Sequence, residues 1–269
     1  MKNLRCIMSF MPTALSTGLF LALLFATLPC MAQTPILYDN FNHKFLDQAL
    51  WWSACAGFSV NQNCATDIQE GRLHLSRGLS GNSDSNSDTN GGAATAFFIG
   101  PYAINSITAD ILVRNIEEIP CATNTGFGGH ADIIARYFNT GSGNVNDDVG
   151  ATLFVGRNAT DPEGQLTVMG NYFSNGDYSH VVWLTNITIG TPLTVTLRWD
   201  QPNHRFLYKV TNKVTQITSS GMLPYPFSDT TPAVDPEKHL DVEIFPANCT
   251  SNQTWVRADA LFDNIYVGQ

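Results

Sequence analysis

Three titratable side chains occupy alternate positions in the run His239-Leu-Asp-Val-Glu243. Successive side chains of a strand point to opposite faces, so His239, Asp241 and Glu243 share one face while Leu240 and Val242 take the other. Two carboxylates on one strand face are what cleavage of a glycosidic bond requires, one as proton donor and one as nucleophile or base. The run His130-Ala-Asp-Ile-Ile-Ala-Arg136 repeats the pattern and sets His130, Asp132 and Arg136 side by side. A His or Tyr base beside an Arg is also the set that abstracts a proton α to a carboxylate. The nearest phenol, Tyr137, falls on the face opposite His130 and Arg136, so this strand alone does not complete that set. If the chain is an enzyme, His130, Asp241 and Glu243 are the residues to carry it.

The same groups suit recognition without chemistry. Sugar rings are held by aromatic faces flanked by amides and carboxylates. His130, Asp132 and Arg136 from one strand, His239, Asp241 and Glu243 from the other, and the rings of Tyr172 and Trp183 form the expected ligand-binding set. A sheet whose outer face is merely solvated would show the same alternation.

Both runs need strands to present them, and the chain is patterned for strands throughout. The strongest is Thr191-Pro-Leu-Thr-Val-Thr-Leu-Arg-Trp-Asp200, with Leu193, Val195, Leu197 and Trp199 inward. The turn Gln201-Pro-Asn-His204 leads from it into Arg205–Thr211 as a hairpin. The closing run Arg257–Gly268 alternates Ala258, Ala260, Phe262, Asn264 and Tyr266 against Leu261, Asp263, Ile265 and Val267. It is expected to pair beside the opening run Ile36–Phe41 and so tie the two ends together. About ten to fourteen such strands, separated by turn clusters and without a long amphipathic helix, predict an all-β, two-sheet antiparallel jelly-roll sandwich. The polar run Ser80–Gly92 has nothing to bury and is expected to be a loop.

The first 32 residues read as an export signal. Lys2 and Arg5 precede an apolar stretch from Thr13 to Leu28, and Ala32 marks the cleavage point. The expectation is a leader at 1–32, one sandwich domain at 33–269, and a secreted or periplasmic product. No later run is long and apolar enough to span a bilayer, so membrane insertion is not expected. The formal net charge is −9, and loss of the leader removes basic residues only, which disfavours nucleic acid as a partner. Four cysteines remain in 33–269: Cys55, Cys64, Cys121 and Cys249. An even count in an exported chain favours disulfides. Of three possible pairings the expected one closes the short loop Cys55–Cys64 and leaves Cys121 to join Cys249. The chain has no CxxC, and no His pair stands near a Cys, so cysteine-held zinc is not expected.

Several short motifs carry a family resemblance: Tyr38-Asp-Asn-Phe41, Glu70-Gly-Arg-Leu-His-Leu75, Leu193-Thr-Val-Thr-Leu-Arg-Trp-Asp200 and Leu261-Phe-Asp-Asn-Ile-Tyr-Val267. With them the chain resembles the concanavalin A-like lectin/glucanase superfamily, and in particular its secreted members of unknown function. The resemblance implies the jelly roll. It also implies one structural calcium near the termini, with Asp263 and Asp39 as ligands. The laminarinase-type hydrolases of that superfamily carry Glu-x-Asp-x-x-Glu, whereas here Pro246 stands three places after Glu243. The expected function is therefore a non-catalytic module that binds a polysaccharide or glycan. A carbohydrate-active enzyme using Asp241 and Glu243 is the alternative, and a structural extracellular protein the third reading.

Overall fold

In the run Leu193–Asp200 the side chains of Leu193, Val195 and Leu197 are buried, while Arg198 is exposed. Burying every second residue is what a strand does when one of its faces meets a core, and the pattern recurs along the chain. The structure, a computed structural model, describes residues 34–57, 62–80, 92–119, 128–158, 161–245 and 255–269. In chain order its strands are β1 (Ile36–Asp39), β2 (Trp51–Gly57), β3 (Gln62–Gln69), β4 (Arg72–Ser80), β5 (Gly92–Phe98), β6 (Ser106–Ile119), β7 (Gly129–Asn139) and β8 (Asp148–Arg157). They continue with β9 (Gln165–Ser174), β10 (Asp177–Thr188), β11 (Leu193–Asp200), β12 (Arg205–Asn212), β13 (Thr218–Pro224), β14 (Thr231–Pro232), β15 (Lys238–Ile244) and β16 (Trp255–Gly268).

These strands form two antiparallel sheets packed face to face, the expected jelly-roll sandwich. Sheet A runs β13-β12-β11-β6-β16-β4-β3 with β1 beside β16, and sheet B runs β10-β9-β8-β7-β15-β5-β2 with β14 beside β7. The expected hairpin is β11–β12, in unbroken register from Leu193 opposite Asn212 to Asp200 opposite Arg205. Its turn closes through His204 at φ 49. The opening and closing strands pair as expected, Ile36 opposite Val267. No helix among the described residues is long and apolar enough to cross a membrane.

The opening strand is locked to the core by one indole. Trp51 is 1% exposed and packs against the rings of Phe98, Tyr38 and Phe41 at centroid distances of 4.6, 5.2 and 5.5 Å. Its Nε1–H donates to Asp39 Oδ2 at 2.8 Å, and the Phe41 amide donates to Oδ1 at 2.8 Å. Trp52 points the other way and is exposed, as adjacent residues of a strand must. Between the sheets, Tyr208 of β12 lays its ring over Gly170 of β9 and donates its hydroxyl to the Asn171 carbonyl. A Cβ at Gly170 would stand 2.3 Å from that ring, so only glycine allows the approach.

The closing strand departs from strict alternation. Ala258, Ala260 and Phe262 face the core, but so do Ile265 and Val267, while Tyr266 is turned out. The register slips between Asp263 and Tyr266, and Asn264 sits in the left-handed region at φ 48. A bulge of this kind inserts one residue and exchanges the two faces beyond it.

The Cys55–Cys64 disulfide is formed, with Cα atoms 6.1 Å apart. The expected Cys121–Cys249 partner bond, the leader at 1–32 and most of the polar run after Ser80 lie outside the described residues.

On the outer face of sheet A a second polar group is held together by charge. Asp259 of β16 accepts from Arg114 Nε at 2.6 Å and lies 3.2 Å from His74 Nε2, and the other ring nitrogen of His74 lies 2.5 Å from Asp67. Burial alone would raise the Asp259 carboxyl, yet His74 and Arg114 hold it down at about 2. A carboxyl whose folded-state value lies below its unfolded one of about 3.9 stabilises the fold fully above that value. That contribution fades as pH falls toward 2. Thermal melts across pH 5 to about 2 should therefore show a steep acid limb that Asp259→Asn flattens, with a lower Tm at neutral pH. An unchanged acid limb in the variant would contradict this role.

Candidate functional site

The site is made by the register between β7 and β15 at the middle of sheet B. Asp241 stands opposite Asp132, Glu243 opposite His130, and His239 opposite Ile134. Cross-strand partners share a face, so two predicted strand faces become one patch. The alternate residues Ala131, Ile133, Leu240 and Val242 are at most 1% exposed and fill the core beneath. The next strands continue the rows: Asp132 opposite Phe154 of β8, Phe154 opposite Met169 of β9, and Met169 opposite Trp183 of β10.

Above this patch lies a cleft of about 760 Å³. Its floor is polar, with His130, Asp132, His239, Asp241 and Glu243; Phe154, Phe173, Phe245, Met169 and Tyr178 supply apolar walls, and Arg136 and Asn171 add polar groups. Gly156, opposite His130, has a structural reason to be glycine. A Cβ there would lie 2.3 Å from His130 Cβ and 2.6 Å from the Gly129 carbonyl oxygen. The imidazole is held between the Phe154 and Phe245 rings, 4.4 and 5.7 Å away.

The floor is a chain of imidazoles and carboxylates. His130 Nδ1 pairs with Asp132 Oδ2 at 2.5 Å, and Nε2 lies 3.9 Å from Glu243 Oε2. His239 lies 2.8 Å from Glu237 Oε1 through Nδ1 and 3.4 Å from Asp241 Oδ2 through Nε2. Burial opposes charge on both imidazoles, but Asp132 lifts His130 to about 9, and Asp241 with Glu237 lifts His239 to about 9. Burial also raises the carboxyls of Asp132 and Glu243, helped in each case by Asp241. The cluster thus holds its protons tightly. Asp132 and Asp241 are 1% and 4% exposed, and each keeps an Oδ1 atom without a hydrogen-bond partner. Glu243, with its side chain 31% exposed, is the carboxylate most open to the cleft.

Of the residues singled out from sequence, the structure brings His130, Asp132, Arg136, His239, Asp241 and Glu243 to one cleft. Tyr172 is not among them. It is 3% exposed, belongs to the core, and stacks on His180 at 4.3 Å. The strand period of two gives its neighbours Asn171 and Phe173 to the cleft instead. Trp183 is exposed on the same sheet face, at the end of the row beyond Met169 and outside the cleft lining.

The expected calcium ligands are separated by the fold. Asp39 spends both oxygens on Trp51 and the Phe41 amide, whereas Asp263 lies on the outer face of sheet A opposite Asp110. Among the described residues, the ligand atoms that gather are those of His130, Asp132 and Glu243, all within 4.8 Å of one another. Sequence reading missed the apolar walls from β8 and β9. Phe154 and Phe173 were legible only as strand residues until the register placed them.

No family model matches the chain, and no curated protein matches it. Among solved structures it is similar to a Lotus tetragonolobus seed lectin, at 11% identity and a TM-score of 0.45 over 87% of this chain and all of that one. It is also similar to lectin I of Ulex europaeus in complex with a methyl glycoside of α-L-fucose, at 12% identity and 0.40 over 86% and 95%. A third is Scytalido-glutamic peptidase with a peptide-based transition-state analogue, at 11% identity and 0.40 over 61% and 71%. These are likenesses of sandwich architecture, and the chemistry of the cleft rests on this chain's own side chains.

The close fit at Gly156 makes a direct test of how the floor is built. Gly156→Ala should destabilise the fold by about 1–3 kcal/mol through overpacking, a fall in Tm of about 2–4 °C for each kcal/mol, and should displace the His130 ring. An unchanged Tm with His130 unmoved in a crystal structure of the variant would contradict the geometry.

Proposed function

We propose that this chain is an exported, single-domain module that binds a glycan in the cleft over β7, β8, β9 and β15, with residues 1–32 as its cleaved leader. The observation that carries the reading is the composition of the cleft: aromatic and apolar walls around a floor of fixed carboxylates and imidazoles. A pyranose ring offers an apolar C–H face and a rim of hydroxyls. Phe154, Phe173, Phe245 and Tyr178 suit the first, and the Asp241, Glu243 and Asn171 oxygens suit the second. The ring pair Phe173–Tyr178, 5.1 Å apart and inclined by 28°, supplies a wall near the β10 edge. The acidic chain fits neutral sugars better than polyanionic ones.

A second reading has its own observation. Asp241 and Glu243 are two carboxylates on one strand, both lining the cleft, and that is the set a glycoside hydrolase uses. In this reading the sugar is cut as well as held.

One screen separates the two. The mature protein, offered neutral plant, algal and bacterial polysaccharides, should bind at least one saturably and leave its chain length unchanged. Tyr178→Ala and Asp241→Asn should each weaken that binding by about tenfold or more, since a well-packed aromatic or a charged hydrogen bond contributes about 1–3 kcal/mol. New reducing ends, abolished by Glu243→Gln, would replace the first reading by the second. Binding that neither cleft variant affects, or none at all, would overturn both.

A further inference from the structure

The floor of the cleft contains more carboxylate than its own hydrogen bonds use. Asp132 is 99% buried by its 1% exposure, and only one of its oxygens is engaged, by His130. Asp241 stands opposite it on β15 and is likewise buried with an unengaged Oδ1. A buried carboxylate oxygen without a partner is costly, and two of them facing one cleft indicate a ligand that is a cation or a strong donor. The hydrogen-bonded pair His130–Asp132 meanwhile leaves Nε2 turned toward Glu243.

We propose that His130, through Nε2, and Glu243 hold a divalent first-row transition-metal ion, of the zinc or manganese class, at the floor of the cleft, with Asp132 orienting the imidazole from behind through Nδ1. One donor atom from each of the three side chains lies within 4.8 Å of the others. His130 Nε2 and Glu243 Oε2 are 3.9 Å apart, and an ion with bonds of about 2.0–2.2 Å bridges atoms up to about 4 Å apart. Nδ1 bonded to a carboxylate fixes the tautomer that presents Nε2, as is usual behind a metal-bound imidazole. The donor set of one imidazole nitrogen and one carboxylate selects the class. Calcium prefers six to eight oxygens and no imidazole, whereas imidazole with carboxylate suits zinc, manganese and iron. The charge also fits, because buried Asp132 and Asp241 stand opposite each other across the strand pair, beside Glu243 and its partner His130. Open space in the cleft above leaves room for further ligands from solvent or from a bound molecule. The site does not depend on the glycan reading, since it needs no sugar to form.

The test uses the whole mature chain, stripped with chelator and titrated calorimetrically with Zn²⁺, Mn²⁺ and Ca²⁺ separately. The site predicts uptake of one Zn²⁺ or Mn²⁺ per chain with a rise in Tm, and Ca²⁺ bound at least tenfold more weakly. Asp132→Asn and Glu243→Gln, each close to isosteric, should weaken Zn²⁺ or Mn²⁺ at least about tenfold. Because buried Asp132 could matter for folding, the wild-type chain supplies an independent readout. Substoichiometric Mn²⁺ should broaden amide resonances around 130–132 and 241–243 before any others. Absence of one-to-one uptake, undiminished affinity in folded variants, a preference for Ca²⁺, or broadening centred elsewhere would each overturn the proposal.

Discussion

The register between β7 and β15 is the constraint on which the rest of the molecule's chemistry depends. It is not set by the polar residues. Ala131, Ile133, Leu240, Val242 and Ile244 must all face the other sheet, and a slip of one residue would turn every one of them to solvent. At about 25 cal/mol per Å² of apolar surface, such a slip would lose several kcal/mol from these two strands alone. Their burial therefore forces Asp132 against Asp241 and His130 against Glu243, whatever those groups would prefer. The core holds the site in place.

Concentrating acids in this way is expensive, and the local arrangement shows how the cost is limited. Each imidazole is set between carboxylates, His130 between Asp132 and Glu243 and His239 between Glu237 and Asp241. Lys238, on the core side of β15, takes another route. It is 2% exposed, donates from Nζ to the Arg136 carbonyl at 2.9 Å, lies 4.8 Å from the centre of the Tyr137 ring, and is lowered to about 8 by burial. Sheet A carries a comparable cluster around Asp259, but there Arg114 adds a permanent positive charge and the acid is pulled down. The cleft floor has no arginine in hydrogen-bond contact with Asp132 or Asp241 among the described residues, and its acids are pushed up instead. That difference marks the sheet B cluster as the one with unmet electrostatic demand.

Much of this is legible in the sequence. The alternation in His239–Glu243 and in His130–Arg136 placed six polar side chains correctly, because strand period is a local property. Sequence reading could pair the two termini because their patterns are alike. It failed where the answer depended on partners or on a single backbone torsion. Tyr172 reads in the sequence as a ring of the ligand face, but β9 turns it into the core and gives Asn171 and Phe173 to the cleft lining. The left-handed Asn264 exchanged the faces of the last residues, which no alternation count could foresee. Asp39 looked like a cation ligand until the fold gave its oxygens to Trp51 and Phe41. The convergence of His130, Asp132 and Glu243 joins residues 113 positions apart in the chain, so it became visible only through the register.

The central claim is that the outer face of sheet B is where this protein meets its ligand. The most direct measurement is an amide chemical-shift map of the isotopically labelled mature chain titrated with soluble oligosaccharides. The account predicts saturable shifts concentrated on β7, β8, β9 and β15, strongest at 130–132, 154, 171–173 and 241–243. Shifts centred on the outer face of sheet A, or on the loops at either end of the sandwich with the cleft residues unmoved, would contradict it.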